Sequence, residues 1–109
     1  MIESLDNGKP IRETRDADTQ VIARWFYHYA GWAQLSDTEM RGWSSVGVVA
    51  GIVAWNFPLM LLVWKVCPAL AMGNTVVMKP ATYTRLSALL FAEVVIRRKI
   101  PVVVGGGGG

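Results

Sequence analysis

A parallel α/β sheet preceded by an amphipathic helix is the fold that these 109 residues predict. Two β-branched runs, at 46–55 and 75–78, alternate with apolar helix-forming runs, and three valines at 102–104 close the series. Strand–helix–strand–helix–strand at these lengths is a βαβαβ unit, and right-handed crossovers make its strands parallel. The chain is 52% hydrophobic and 17% charged. Ordinary domains carry about 25% charged residues, so a disordered or coiled-coil chain is excluded.

Residues 1–15 are polar and hold the turn signals Asn7-Gly8 and Lys9-Pro10. Asp16 or Asp18 is placed to cap a helix starting near Ala17. Val21, Ile22, Trp25, Phe26, Tyr29, Ala30 and Ala33 recur at the spacing of one helical face. Gln20 and Arg24 lie opposite, and Gly31 is a weak point. Residues 34–45 read as a polar connection. The run 46–55 reads as a buried strand, and 58–72 as a helix apolar nearly all round, made for the interior of a large body. Pro58 suits its first turn, Gly73 its end, and Pro68 should kink it near Trp64. The second strand ends at Lys79-Pro80. Leu86, Leu89, Leu90, Ala92, Glu93 and Ile96 predict a helix over about 84–99. Residues 1–104 form the one domain expected, and 105–109 a glycine tail.

Several functions are excluded on composition. A single cysteine, Cys67, supports neither a disulfide framework nor a Cys-rich zinc site, and no ligand cluster points to a metal. Net charge is +3, but Arg97-Arg98-Lys99 is the longest basic run, so no nucleic-acid partner is expected. The start Met1-Ile2-Glu3-Ser4-Leu5-Asp6 lacks the pattern of a secretory signal. Residues 46–64 hold no charge and are long enough to span a bilayer. Asn56-Phe57-Pro58 divides them, so two buried elements are expected rather than a membrane span, in a cytoplasmic protein.

Ligands on open parallel sheets bind outside the carboxyl ends of the strands. That rule selects Trp55-Asn56-Phe57-Pro58 and Lys79-Pro80-Ala81-Thr82, on one edge of the sheet. The Asn56 amide can donate to an oxyanion beside a helix start, or it can simply cap that helix. Lys79 can meet a ribose or phosphate, or it can be a solvated strand end. No G-x-G-x-x-G or G-x-x-x-x-G-K-[ST] occurs. Cys67 reads as a buried structural thiol and His28 as a packing histidine.

The segments Glu3-Ser4-Leu5-Asp6-Asn7-Gly8-Lys9-Pro10, Tyr29-Ala30-Gly31-Trp32-Ala33, Val46-Gly47-Val48-Val49 through Trp55-Asn56-Phe57-Pro58-Leu59, and the run from Pro68 to Ala81 occur in order. Over residues 3–93 the chain resembles the N-terminal half of the cofactor-binding domain of the aldehyde dehydrogenase superfamily. The likeness is read as failing after Glu93. It implies an incomplete aldehyde dehydrogenase fold, with a partial Rossmann-like sheet that lacks the glycine fingerprint. The activity implied is oxidation of an aldehyde to a carboxylic acid through a cysteine thiohemiacetal, with hydride passed to NAD or NADP.

By that resemblance Asn56 is the oxyanion-hole donor and Lys65 a proton relay. Val53, Ala54 and Trp55 line the nicotinamide side of the cofactor. Lys79 holds the adenosine ribose, flanked by Pro80 and Ala81. Phe57, Leu61 and Trp64 line the aldehyde tunnel. Ala54 stands where the family usually has proline. Thr82 stands where NAD-preferring members carry glutamate, which leaves the choice of NAD or NADP open. The family's general-base glutamate and cysteine nucleophile have no counterparts here, and Cys67 is no substitute. The expectation is therefore a fragment of an enzyme whose full-length relatives are homo-oligomeric, inactive alone. The alternative is a non-catalytic dinucleotide-binding or interaction module.

Overall fold

Three parallel strands, β1 (Val48–Ile52), β2 (Thr75–Lys79) and β3 (Val102–Val104), lie in the order β1-β2-β3 in a computed structural model that describes residues 1–105. Helix α4 (Pro58–Ala71) joins β1 to β2, and α5 (Leu86–Arg97) joins β2 to β3. This is the βαβαβ unit expected. The tail beyond Gly105 lies outside the described residues.

Both crossovers step the same way along the sheet, so a right-handed connection puts both helices on one face. The burial of the strands follows. Val76, Met78 and Val102 are buried on the helix side, against Leu62, Val63 and Val66 of α4 and Val95 of α5. The opposite face is bare: Val48, Ile52 and Val103 are 70%, 73% and 62% exposed. The expectation that the run 46–55 forms a buried strand therefore holds for one face only.

The ends of α4 are set by local chemistry. Pro58 occupies the first turn, where a missing N–H costs nothing. At the other end Gly73 takes φ +78°. Its N–H donates to the Leu70 carbonyl at 2.9 Å and the Asn74 N–H to the Ala69 carbonyl at 3.0 Å. That pair is a Schellman stop, open to glycine because a left-handed residue is needed there. Buried Asn74 then accepts from the N–H groups of Val46 and Gly47, at 2.8 and 3.0 Å, and so ties the end of α4 to the start of β1.

The N-terminal third departs from expectation. Residues 1–15 are not merely turns, since α1 (Ile2–Asn7) forms there and stops at Gly8, φ 83°. A second helical run begins with α2 (Ile11–Glu13), widens into a π turn at Thr14–Asp18 and continues as α3 (Thr19–Glu39). Neither Asp16 nor Asp18 caps it: the helix is already running, and Asp18 has helical angles. Asp18 instead pairs with Lys9 at 3.2 Å. Gly31 does not interrupt α3, and much of the expected connection at 34–45 is helix. Packing explains this: Ile22, Trp25 and Tyr29 lie on the core, and Trp25 stacks on Trp64 at 5.5 Å. Tertiary contact outweighs the roughly 1 kcal/mol a helical glycine costs.

A one-sided core makes a direct prediction. Leu62→Ala, at a fully buried position, should cost about 2–5 kcal/mol in urea denaturation. Ile52→Ser on the bare face should stay within about 0.5 kcal/mol of the parent chain.

Candidate functional site

The strand register places the two expected segments side by side. Ile52 pairs with Lys79, and the Val53 N–H donates to the Lys79 carbonyl at 3.0 Å. From this joint, residues 53–57 lead into α4 and residues 80–85 into α5. Both lie at the carboxyl edge of the sheet, as expected.

Val53 is buried beneath the edge, whereas Ala54, Trp55 and Asn56 are exposed. The Asn56 side chain makes no hydrogen bond among the described residues. It does not cap α4: that helix begins after Phe57 with no side-chain bond from the cap position. The cap is Glu3, whose Oε1 accepts from the Leu59 N–H at 2.9 Å. The capping alternative for Asn56 is thereby overturned. The same contact alters the local field, because the Glu3 carboxylate already neutralises the positive end of α4. Any charge stabilisation here falls to the Asn56 amide itself.

Phe57, just before α4, and Leu61 and Trp64 within it recur at helical spacing, and Trp64 meets Trp25 of α3. Lys65 faces elsewhere. Its stem runs beside Gly51 and Met78 on the sheet, in a recess also lined by Pro68 and Ala69. It stands two turns, roughly 10 Å, along the helix from Pro58. The fold therefore does not bring Lys65 to Asn56 as it brings Trp55 and Phe57.

Lys79 continues the exposed side of β2, in register with Ile52 on the bare face. It has neither ion pair nor side-chain hydrogen bond among the described residues. Pro80 is buried behind it and Ala81 half-buried. Exposed Thr82 lines a recess of about 410 Å³ with Asp6, Tyr83, Arg85, Leu86 and Leu89. A free ammonium and a hydroxyl at a strand's carboxyl end are donors suited to ribose hydroxyls, so these residues fit the adenosine half of a dinucleotide.

Four residues shaping this edge carry no functional expectation from sequence. Besides Glu3, Asp6 accepts from the Leu86 N–H at the start of α5, at 2.9 Å. Asn7 donates from Nδ2 to the Trp55 carbonyl at 2.6 Å. Lys9, paired with Asp18, lies 3.3 Å above the Phe57 ring. Glu3, Asp6 and Asn7 stand at i, i+3 and i+4 on α1, which puts all three on one side of it, a relation that shows only once the helix is in place.

A family model described as the aldehyde dehydrogenase family matches residues 1–105. The chain belongs to the aldehyde dehydrogenase family. The match passes beyond Glu93, where the likeness was read as failing, and takes in the end of α5 and β3. Phenylacetaldehyde dehydrogenase of Pseudomonas fluorescens is 41% identical over 97% of this chain and 25% of its own length. An aldehyde dehydrogenase of Bacillus cereus, solved as an NAD+ complex, superposes with a TM-score of 0.87 at 36% identity, over 99% of this chain and 25% of that one. PnpE from Pseudomonas sp. WBC-3 gives 0.87 at 38% identity, with the same coverage. The chain thus spans about a quarter of the length of the relatives it matches. No helix among the described residues is long and apolar enough to cross a membrane.

Cys67 lies buried in α4, and burial pushes its thiol up to about 11 from an ordinary 9.0. At pH 8 it should hold roughly a hundredfold less thiolate than an exposed cysteine, so iodoacetamide should label the folded chain slowly. The raised value favours the folded state below the unfolded pKa. That stability should be lost as pH rises from about 9 to about 11. Urea midpoints across this range, compared with Cys67→Ala, isolate the effect from other groups titrating there.

Proposed function

We propose that this chain supplies the oxyanion-hole donor and the adenosine-side lysine of an NAD(P)-dependent aldehyde dehydrogenase. The observation that carries this reading is that the segments bearing Asn56 and Lys79 leave one carboxyl edge side by side, joined by the Val53–Lys79 backbone bond, in a chain of this family. Attack of a thiolate on an aldehyde carbonyl leaves negative charge on the carbonyl oxygen. A fixed amide donor aimed at that oxygen lowers the barrier; removing such a donor elsewhere costs about 3–4 kcal/mol. Asn56, exposed and not engaged by a side-chain bond, serves as that donor. Phe57, Leu61 and Trp64 form the apolar approach for the aldehyde.

A nicotinamide dinucleotide, when bound, accepts the hydride released as the aldehyde is oxidised. Lys79 holds its adenosine ribose, and Thr82 stands beside it. No carboxylate occupies position 82 to repel a 2′-phosphate, and Asp6 is engaged with the Leu86 N–H. Position 82 by itself therefore selects neither NAD nor NADP. Val53, Ala54 and Trp55 face the nicotinamide half. Lys65 has a weaker part here, because its stem lies against the sheet rather than beside Asn56.

The chain alone performs no turnover. Its single cysteine is buried and protonated, and thiohemiacetal formation needs an accessible thiolate. An accessible nucleophilic thiolate is therefore not supplied by Cys67.

Titration calorimetry with NAD tests this reading. Saturable binding is expected, weakened about tenfold or more by Lys79→Ala, in line with loss of a hydrogen bond from a charged donor. No aldehyde-dependent NAD(P)H should form. Binding indifferent to Lys79→Ala would refute the cofactor assignment, and measurable turnover would refute the inactivity.

A further inference from the structure

The segment presenting Asn56 is gripped at three alternate positions by one short stretch of chain. Asn7 Nδ2 donates to the Trp55 carbonyl at 2.6 Å. The Lys9 ammonium lies 3.3 Å above the Phe57 ring and is itself held by Asp18 at 3.2 Å. Glu3 Oε1 accepts from the Leu59 N–H at 2.9 Å. Residues 55, 57 and 59 are fixed, and between them Asn56 is left exposed. These contacts span roughly fifty residues of sequence and join α1 and the link after it to the first turn of α4.

We propose that Glu3, Asn7 and Lys9 are positioning residues for Asn56, holding the Trp55–Phe57–Leu59 backbone so that the Asn56 amide points at a fixed place. The inference rests on the reading of Asn56 as the oxyanion donor. An amide stabilises developing charge well only if it does not have to reorient when the charge appears, and tolerances are about 0.5 Å and 10–20°. Asn56 cannot meet that demand by itself. It follows β1, precedes α4 and belongs to neither, and Ala54 lacks the stiffness of a proline. The three contacts differ in kind: a neutral hydrogen bond, a charge-assisted cap and a cation over a ring face. Each restrains a different residue, and none touches the Asn56 side chain, which keeps it free for substrate.

Asp6 provides an internal control. It lies on the same helix and caps α5 rather than α4. Loss of Asp6 should weaken the fold without loosening residues 55–59.

NMR relaxation on the isotope-labelled 109-residue chain tests the inference. In the parent chain the backbone order parameter of Asn56 is expected near the rigid value of about 0.85. Asn7→Asp is isosteric but lacks the donor, and it should lower that value below about 0.6, as should Glu3→Ala. Glu3→Gln keeps an oxygen that accepts the Leu59 N–H and should restore it. Asp6→Ala should leave it unchanged. If Asn7→Asp fails to fold, Lys9→Ala removes the ring contact together with the Asp18 ion pair and carries the same expectation, with Asp18→Asn as the control that loses the ion pair but keeps the cation over the ring. An Asn56 that stays rigid in Asn7→Asp and Glu3→Ala would overturn the inference. So would an Asp6→Ala chain as loose at Asn56 as Asn7→Asp, since that is the mark of a merely structural role. NAD binding on the same samples reports on Lys79, so its absence would count against the proposed function and not against the positioning.

Discussion

Two carboxylates on one turn of helix hold the working edge of this molecule together. Glu3 takes the free N–H at the start of α4, and Asp6 takes the one at the start of α5. Both helix starts must lie at the carboxyl edge, because each follows a strand of a parallel sheet. Each leaves unpaired N–H groups and a partial positive charge there. Helix α1 answers both at once because its i, i+3 spacing puts the two side chains on one side. A cap of this kind contributes about 0.5–2 kcal/mol. Its larger effect is geometric: the chain start, 56 and 80 residues away from its partners, becomes a clamp across the edge where the segments after β1 and β2 lie side by side.

That clamp explains how a three-stranded sheet with one bare face keeps a defined edge. The core lies between the sheet and helices α4 and α5, with α3 packed on α4. Val48, Ile52, Val77 and Val103 are left exposed on the other side, and Lys79 stands at the end of that face. Parallel sheets are ordinarily covered on both faces. A sheet open on one side gains less from burial, so restraint at its edge has to come from specific polar contacts. The Asn74 junction does the same work at the opposite edge, where one side chain holds the end of α4 to the start of β1.

The βαβαβ unit was legible in the sequence because period, length and punctuation agreed there. Pro58, Gly73 and the valine runs each marked a boundary that local physics enforces. Asn56 and Lys79 were legible as an edge pair for the same reason: strand ends of a parallel sheet converge. Helix α1 was not legible, because Asn7-Gly8 is a strong turn signal and six residues are too few to show a helical period. The reach of α3 past Gly31 was hidden too, since it depends on Trp25 finding Trp64 across the core. Nothing near Glu3 and Asp6 in the chain marks them as caps, and only the distant starts of α4 and α5 give them a partner. The turn away of Lys65 was equally hidden, for it follows from Gly51 leaving room on the sheet. A Cβ at Gly51 would lie 2.6 Å from the Met78 sulfur and 3.2 Å from Lys65 Cδ.

The clamp is the central claim, and hydrogen exchange measures it directly. In the parent chain the amides of Leu59 and Leu86 should be protected. In the Glu3→Ala/Asp6→Ala double variant both should lose that protection, while Val76 and Val66 in the core keep most of theirs. Protection at Leu59 and Leu86 that survives the loss of both carboxylates would contradict the account.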